Sequence, residues 1–467
     1  MKGKLRFVSL AMAAVVGVSC MAGCGKKTSD KDKQGRTVIS IGGWPTQEGT
    51  NLDNYNKQKE EYEKNNPDAV IVPDTWAFDL KTFYAKAAGG QLPTLFRSMF
   101  TEIDQVAAAD YAADISEVLK ERGYDGQINK AVLDIISKDG KVFAMPTEAY
   151  VQGLIINTDM FEKAGLMEAD GTPKQPKTWD EVAEFAVKIK EATGKPGIIV
   201  PTASKIGGWI FTVLAWSFGT EFMKQDSDGN WKATFDSPEA AAALQYIKDL
   251  KWKYDVLPAN TLIDYDEWDK LFATGAGAMR IGNTGVLSGM TKYGMDPNAI
   301  GMVAMPKGPK KHVTLLGGKV SYVKSDATKD QIDACIRWLE MSNTYKATDE
   351  FKQSTERTIK EQLENNQLVG ANSFSIWSSD SEAVKYQNEL IAKNANTNVN
   401  HVRLYNEFIA DCPAEIQPEE PVCCQQLYEV LDKCIQEVLT NKNADCSAVL
   451  AKANSDFQKD YLDNVDY

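Results

Sequence analysis

The spacing of apolar and polar residues predicts alternating strands and helices in the first part of the chain. Residues 36–43, RTVISIGG, alternate briefly and end on two glycines, as a strand that enters a turn does. A polar helical stretch covers 51–66, and AVIVPDTW at 69–76 predicts a second strand. The order strand, helix, strand predicts α/β layers built on a parallel-rich sheet.

Two later helices carry clear start signals. Thr178 is a typical N-cap, and Glu181 three residues later completes a capping box. Ser237 caps the second helix, with Pro238 at its first position. Between these two helices, the apolar run Ile198–Val200 predicts a buried strand.

A stretch near residue 150 places polar and aromatic side chains between two apolar runs. Asp139-Gly140 predicts a hairpin turn, and Pro146 is expected to end the strand that follows it. The run GLIIN at 153–157 predicts the next buried strand. Glu148 and Tyr150 therefore lie in a short connection between two predicted strands.

The N-terminus predicts export. Lys2, Lys4 and Arg6 precede an apolar run that is too short to span a bilayer, which is typical of a secretory signal peptide over residues 1–23. The tetrapeptide that ends at Cys24 resembles the lipobox of bacterial lipoproteins, whose cysteine is acylated, and the polar stretch 24–35 predicts a flexible tether. A weaker candidate for lipidation is Cys20, and an ordinary cleaved signal peptide is the further alternative.

Charge and length narrow the class of protein. The 467 residues hold 52 basic and 65 acidic side chains, and removal of Lys2, Lys4 and Arg6 leaves 49 basic residues and a net charge of −16. That sign disfavours nucleic-acid binding. The length predicts two or three domains, and no later apolar run reaches the eighteen residues expected of a membrane-spanning helix.

The cysteines that follow Cys24 do not form a zinc motif. No C-x-x-C pair occurs, and the only histidines, His312 and His401, lie outside the cysteine cluster, so no metal is predicted. An exported compartment permits disulfides, but a domain of this size needs none, and free buried thiols are favoured slightly. The six residues are Cys335, Cys412, Cys423, Cys424, Cys434 and Cys446.

Several stretches in one order resemble the family 1 extracellular solute-binding proteins that serve carbohydrate ABC transporters. They are GKVFAMPTEAYVQGLIINTDMFEKAGL, PKTWDEVAEFAVKIKEATG, FDSPEAAAALQYIKDL, FATGAGAMRIGNTGVL, GMVAMPKGP and GGKVSYVKSDATKDQIDACIRWLEM. The resemblance implies an α/β, two-lobe periplasmic-binding-protein-like fold with a hinge between the lobes. The segment 350–421 departs from the family pattern.

The resemblance also implies how the chain divides between the lobes. The first lobe would hold residues 36–147 plus about 316–345, and the second lobe 148–315 plus about 346–467. The chain would cross between the lobes near Glu148 and return through LLGGKVSYV, where Gly318 serves either as a hinge or as a point of close approach to a ligand.

A sugar site needs aromatic platforms and hydrogen-bonding side chains, because sugars present apolar C–H faces and rims of hydroxyl groups. Trp44 follows the first strand, and Trp209 follows two glycines that would let the backbone approach a ligand. For Trp44 and Trp268, packing in the core is the alternative. The predicted ligand-binding residues are Trp44, Glu148, Tyr150, Trp209, Asp266, Trp268, Asn283 and Gly318.

The sequence as a whole leads to one functional hypothesis and two alternatives. The chain is expected to be a monomeric, lipid-anchored binding protein on the extracellular face of the cell membrane, needing no cofactor, which delivers a sugar or oligosaccharide to an ABC transporter permease. A polyamine or another small solute is the first alternative, since a cationic ligand would suit the acidic balance of the chain and a box of aromatic side chains. An exported glycoside-active enzyme that uses a carboxylate pair such as Glu148 and Asp266 is the second.

Overall fold

The computed structural model describes residues 30–465, which divide into two compact units. Unit 1 comprises the residues up to Phe96 together with Ala327–Ala334, and unit 2 comprises Arg97–Asp326 and the residues from Cys335 onward. The predicted signal peptide and Cys24 lie outside the described residues. The lobe boundaries given above stay a prediction.

Unit 1 contains a parallel sheet, as the sequence predicts. Its elements are β1 (Thr37–Ile41), α1 (Thr50–Asn65), β2 (Ala69–Pro73), α2 (Leu80–Ala88) and the start of β3 (Leu95–Met99). Strand β1 pairs in parallel with β2 along its whole length and meets β3 at Leu95. The Tyr62 hydroxyl donates to the Ala334 carbonyl at 2.8 Å, which ties the segment 327–334 to this unit.

Unit 2 is the larger unit and is rich in helices. Its elements, with α12 beginning in unit 1, are α3 (Ile103–Ala108), α4 (Ser116–Glu121), α5 (Lys130–Ile136), β4 (Ser137–Lys138), β5 (Lys141–Val142), β6 (Met145–Val151), β7 (Gly153–Asn157), α6 (Thr158–Lys163), α7 (Trp179–Thr193), α8 (Ile206–Phe218), β8 (Met223–Gln225), β9 (Trp231–Ala233), α9 (Pro238–Trp252), α10 (Tyr265–Ala273), β10 (Met279–Gly282), α11 (Leu287–Met290), β11 (Ile300–Val303), β12 (Val313–Val323), α12 (Lys329–Glu340), α13 (Asp349–Glu364), α14 (Glu382–Lys393), α15 (Asn400–Asp411), β13 (Glu415–Pro418), α16 (Cys424–Thr440) and α17 (Cys446–Asp460).

The two helices with predicted caps form as expected. The Thr178 hydroxyl accepts from the Glu181 backbone N–H at 3.2 Å, and the Ser237 hydroxyl accepts from the Ala240 N–H at 3.1 Å. These side chains satisfy N–H groups that the first turn of a helix leaves without backbone partners. Both helix starts are therefore confirmed.

The strands of unit 2 differ from the prediction in direction. Strand β7 pairs antiparallel with both β10 and β11, and β12 pairs antiparallel with β6 and parallel with β13. The prediction of a parallel-rich sheet is thus wrong for this unit. A strand that is buried on both faces has an apolar sequence whether its neighbouring strands are parallel or antiparallel, so the sequence does not give their direction. Ile198–Val200 is buried but forms no strand, and the Ile199 N–H donates to the Met279 carbonyl at 2.9 Å.

Strand β6 continues through the predicted stop. Pro146 lies inside β6, opposite Val320, next to a register shift between Lys319 and Val320. A proline lacks the N–H that a regular ladder uses, but an irregular position in a strand does not require that donor. The prediction that Pro146 ends the strand is therefore wrong, and Glu148 lies within regular β-structure.

The six cysteines of the described part of the chain are free thiols, four of them buried. Cys335 is fully buried on α12, where burial raises its thiol pKa well above the usual range. A buried thiol with a raised pKa is a packing residue of low reactivity.

A buried ion pair lies in the core of unit 2. Arg280 on β10 is fully buried, its guanidinium lies 3.6 Å from the centroid of the Trp268 ring, and it donates to the Asp269 carboxylate. The Trp268 indole N–H donates to the Ile199 carbonyl at 3.2 Å. The aromatic face and the carboxylate offset only part of the loss of water around this buried cation, because Arg280 Nε and Nη2 have no hydrogen-bond partner among the described residues.

We predict that Asp269→Ala lowers the free energy of unfolding by about 3–5 kcal/mol, because it leaves the Arg280 cation buried without a counter-charge. Urea unfolding measures the change. Asp266→Ala, which removes an exposed carboxylate from the same helix, is the matched control and should change stability by less than about 0.5 kcal/mol. Equal effects of the two substitutions would contradict this account of the core.

Candidate functional site

An aromatic pair in unit 2 forms the centre of the candidate site. Tyr150 on β6 and Trp209 on α8 have ring centroids 6.2 Å apart at an interplanar angle of 82°, an edge-to-face contact. Both residues are partly exposed. Two of the predicted site residues, 59 positions apart in the sequence, therefore lie side by side.

A glycine in β12 makes room for the tyrosine. Gly317 lies opposite Tyr150 in the β6–β12 pairing, and a Cβ atom added at Gly317 would lie 2.4 Å from the tyrosine ring. At Gly318 a Cβ atom would lie 2.3 Å from the Glu148 carbonyl oxygen and 2.6 Å from the Phe100 ring. Both glycines thus serve close packing inside unit 2, and the space beside Gly318 is filled by protein.

Helix α16 contacts the start of α8 and so fixes the position of Trp209, which lies in the first turn of α8. The Asp432 carboxylate accepts from the backbone N–H groups of Lys205 and Gly208 at 2.6 and 2.8 Å. A Cβ atom at Gly208 would lie 2.1 Å from the Tyr428 backbone. The glycines before Trp209 therefore allow α16 to pack closely against α8. We expected them to bring the backbone close to a ligand, but the structure places α16 there instead.

Glu419, which the sequence analysis missed, completes the site. It directly follows β13, its carboxylate accepts from the Tyr428 hydroxyl at 2.7 Å, and the nearby Trp209 indole acts to lower its pKa. Burial raises the pKa of Glu419 to about 7, although the Tyr428 hydrogen bond opposes that shift. The signal in the sequence is the pair Glu419-Glu420, which lies in the segment that departs from the family pattern.

Two more glutamates contribute charge to the site. Glu102 is buried, burial raises its pKa, and its negative charge in turn helps to raise the pKa of Glu419. Glu148 accepts from the Lys319 ammonium at 2.6 Å across the β6–β12 pair. Burial raises the pKa of Tyr150 well above its usual value, and the charges of Glu419 and Glu148 raise it further, so the phenol is a neutral donor.

The remaining predicted residues lie in different settings. Trp268 is fully buried beneath Arg280, which favours the core-packing alternative. Asp266 is exposed in the first turn of α10, and Asn283 caps a short 3-10 helix by accepting from the Gly285 N–H at 2.9 Å. Trp44, in unit 1, is 5% exposed and packs edge-to-face on Tyr55 with centroids 5.1 Å apart.

The site can form hydrogen bonds and aromatic contacts but lacks a metal-binding set. Among residues 30–465, no group of three or more histidine, cysteine, aspartate or glutamate side chains is placed to hold a metal ion. Carboxylates accept hydrogen bonds, the neutral phenol can donate one, and the two rings offer apolar faces. This chemistry is that of a binding site for a small polar molecule.

A family model described as bacterial extracellular solute-binding protein matches residues 43–340. The chain belongs to this family. The sn-glycerol-3-phosphate-binding periplasmic protein UgpB of Escherichia coli O1:K1 is 24% identical over 367 residues, which cover 75% of this chain and 78% of that protein. These similarities confirm the family predicted from the sequence, and the relatives are transport binding proteins.

Solved structures of solute-binding proteins share the fold. The protein from Thermotoga lettingae TMO, bound with alpha-D-tagatose, has a TM-score of 0.63 at 21% identity, over 90% of this chain and 98% of that one. The cyclic alpha-maltosyl-1,6-maltose binding protein of Arthrobacter globiformis has a TM-score of 0.61 at 21% identity, again over 90% and 98%. The predicted fold class is thus confirmed.

A second buried glutamate gives this region a testable pH dependence. Glu420 is 8% exposed, accepts from the Trp216 indole at 2.9 Å, and has a pKa raised to about 7, chiefly by burial. The folded state keeps this proton up to about pH 7, whereas the unfolded chain loses it near its ordinary value of 4.5. Stability is therefore lost as the pH rises through that window.

We predict that Glu420→Gln, which keeps an acceptor for Trp216 but carries no charge, raises the free energy of unfolding by about 1–3 kcal/mol at pH 8. At pH 4.5 the gain should shrink below about 1 kcal/mol, because the native carboxyl is then protonated. Urea unfolding at both pH values measures this. Glu389→Gln, at an exposed position on α14, should have no effect at either pH, and a gain of equal size at both pH values for Glu420→Gln would refute the assignment.

Proposed function

We propose that this protein captures a sugar or oligosaccharide outside the cytoplasm and delivers it to the membrane permease of an ABC transporter. The observation that carries this proposal is the Tyr150–Trp209 edge-to-face pair, with the Glu419 carboxylate near it. Family membership supports the transport role, and the solute-binding proteins of similar fold include sugar-binding ones.

The chemistry of the site suits a polyhydroxyl ligand. A sugar ring can place its C–H face against an aromatic side chain while its hydroxyl groups donate to carboxylates at the rim. Glu148 and Glu419 are acceptors near Tyr150, since the charge of each one raises the pKa of that phenol. The residues we assign to the sugar site are therefore Tyr150, Trp209, Glu148 and Glu419, with Trp44, Asp266 and Asn283 kept as weaker candidates.

A cationic ligand such as a polyamine is the second candidate, and the three glutamates near the aromatic pair favour it. Two lysines offset that charge: Lys319 pairs with Glu148, and the charge of Lys205 acts on Glu102. The excess of carboxylates disfavours a phosphate ester of the kind named for the UgpB relative. An exported glycoside-active enzyme is the remaining alternative, although Glu148 is held in an ion pair and Asp266 is exposed.

We predict that oligosaccharides raise the melting temperature of the protein in proportion to the logarithm of ligand concentration over Kd, and that polyamines and glycerol phosphates do not. Trp209→Ala should weaken sugar binding by about 10- to 100-fold, because it removes one of the two aromatic contacts with the sugar. Calorimetric titration measures both affinities.

Trp252→Ala is the matched control, because Trp252 lies at the far end of α9 and donates to the Val438 carbonyl at 2.9 Å. It should leave the sugar affinity unchanged. Stabilisation by polyamines alone would favour the second candidate, and shorter saccharides accumulating during incubation would establish the enzyme. An unchanged affinity in Trp209→Ala would remove Trp209 from the site.

We also propose that Cys24 is acylated and that the mature, monomeric protein is held on the extracellular face of the cell membrane. The support lies in the sequence: Met21-Ala22-Gly23 precedes the cysteine, and a polar tether follows it. In the described part of the chain, no helix has the length and hydrophobicity that a membrane crossing requires.

We predict that Cys24→Ser releases the protein from the membrane fraction, because the substitution removes the thiol that carries the acyl chains. Cell fractionation and intact-mass measurement of the mature chain test this. Cys20→Ser is the control and should leave the protein attached with its acyl mass. If Cys20→Ser releases the protein from the membrane fraction and Cys24→Ser does not, the acylated residue is Cys20.

A further inference from the structure

A pocket of about 440 Å³ opens in unit 2 beside the candidate sugar site. Its walls come from β6, the turn after β10, helix α13 and the segment 368–377. The volume falls within the range of about 300–1,000 Å³ that is typical of small-molecule pockets. Thr358 on its α13 wall is exposed, so the pocket is open to solvent.

The lining of the pocket is polar but nearly uncharged. Among the described residues, Glu148 is the one charged side chain in this lining. Hydroxyl and amide groups supply most of the remaining polarity, and they include Thr284, Ser288, Ser354, Ser373, Asn343 and Gln362. An anion would need cationic partners and a polyamine several carboxylates, whereas hydroxyls and amides both donate to and accept from a neutral polyhydroxyl molecule.

Glu148 connects this pocket to the aromatic pair. Side chains two residues apart on a strand lie on the same face, so Glu148 and Tyr150 share one face of β6. The charge of Glu148 raises the pKa of Tyr150, and the same side chain lines the pocket. Glu148 is therefore shared by the pocket and the surroundings of Tyr150, and its neighbours Thr147 and Ala149, on the other face of β6, line the pocket as well.

Two walls of the pocket lie beyond the part of the chain that the family model matches. The family match ends at residue 340, whereas α13 and the segment 368–377 lie beyond it. Thr284, which lies within the family match, contacts the segment beyond it, since the Thr284 hydroxyl lies 3.0 Å from the Ser373 hydroxyl. The segment that departs from the family pattern thus builds a polar cavity next to the site.

We propose that this pocket is an extension subsite that holds the further sugar residues of a ligand whose first residue lies on Tyr150 and Trp209. The inference rests on the proposed function and adds to it the class of ligand, a neutral oligosaccharide of at least two units. Binding should then strengthen with chain length, because each added residue gains contacts in the pocket.

The experiment measures affinity against chain length. Malto-, cello-, xylo- and galacto-oligosaccharides of one to six units are titrated calorimetrically into the wild-type protein, and in the series that binds, Kd should fall at least about tenfold from one unit to three. Ser354→Trp places a large side chain in the pocket. It should abolish that gain and leave the affinity for the single unit unchanged.

Gln353→Trp is the matched control, because Gln353 is exposed on the same helix and does not line the pocket. It should behave as the wild type does. Thr284→Val, which nearly preserves side-chain shape while removing the hydroxyl, is a milder second variant in case Ser354→Trp fails to fold. It should weaken binding of the longer saccharides by about three- to tenfold, with the single unit unaffected.

The outcomes separate the two proposals. A wild-type affinity that does not depend on chain length, or a full length dependence in both pocket variants, would overturn the extension subsite while leaving sugar capture intact. A wild-type protein that binds no saccharide of any length would overturn the proposed function itself, and the subsite with it.

Discussion

The arrangement of the candidate site depends on one strand, β12, and on the two glycines in it. On one side β12 pairs antiparallel with β6, which carries Glu148 and Tyr150, and on the other it pairs in parallel with β13, which ends just before Glu419. Leu316 is the common point, opposite Val151 on one side and Pro418 on the other. Because Gly317 and Gly318 have no side chains, the Tyr150 ring and the β6 backbone can lie directly against the strand.

The same arrangement places acidic groups where they are costly to ionise. Glu419 and Glu420 follow β13 in succession, and burial raises the pKa of each to about 7. Hydrogen bonds from Tyr428 and Trp216 offset part of the desolvation cost. Burial of these two carboxyl groups lowers the stability of the folded protein at neutral pH, and in the proposed site the hydroxyl groups of a ligand would supply part of the missing solvation to Glu419.

Much of the fold was predictable because its signals are local. The N-caps Thr178 and Ser237 act within one helical turn, and the Tyr150 and Trp209 assignments followed from residue type and a family resemblance. Glu419 was not predictable, since its position depends on β13 pairing with β12 a hundred residues earlier in the chain. Two predictions were wrong: that Ile198–Val200 forms a strand and that Pro146 ends one. Neither burial nor a proline specifies strand pairing, because pairing is decided by partners that are distant in the sequence.

The most direct test of the account is a crystal structure of the protein with the saccharide that binds most tightly. The account predicts a sugar ring against Tyr150 and Trp209, with hydroxyl groups within hydrogen-bonding distance of Glu148 and Glu419. A saccharide that is bound elsewhere, with no contact to these four residues, would contradict it.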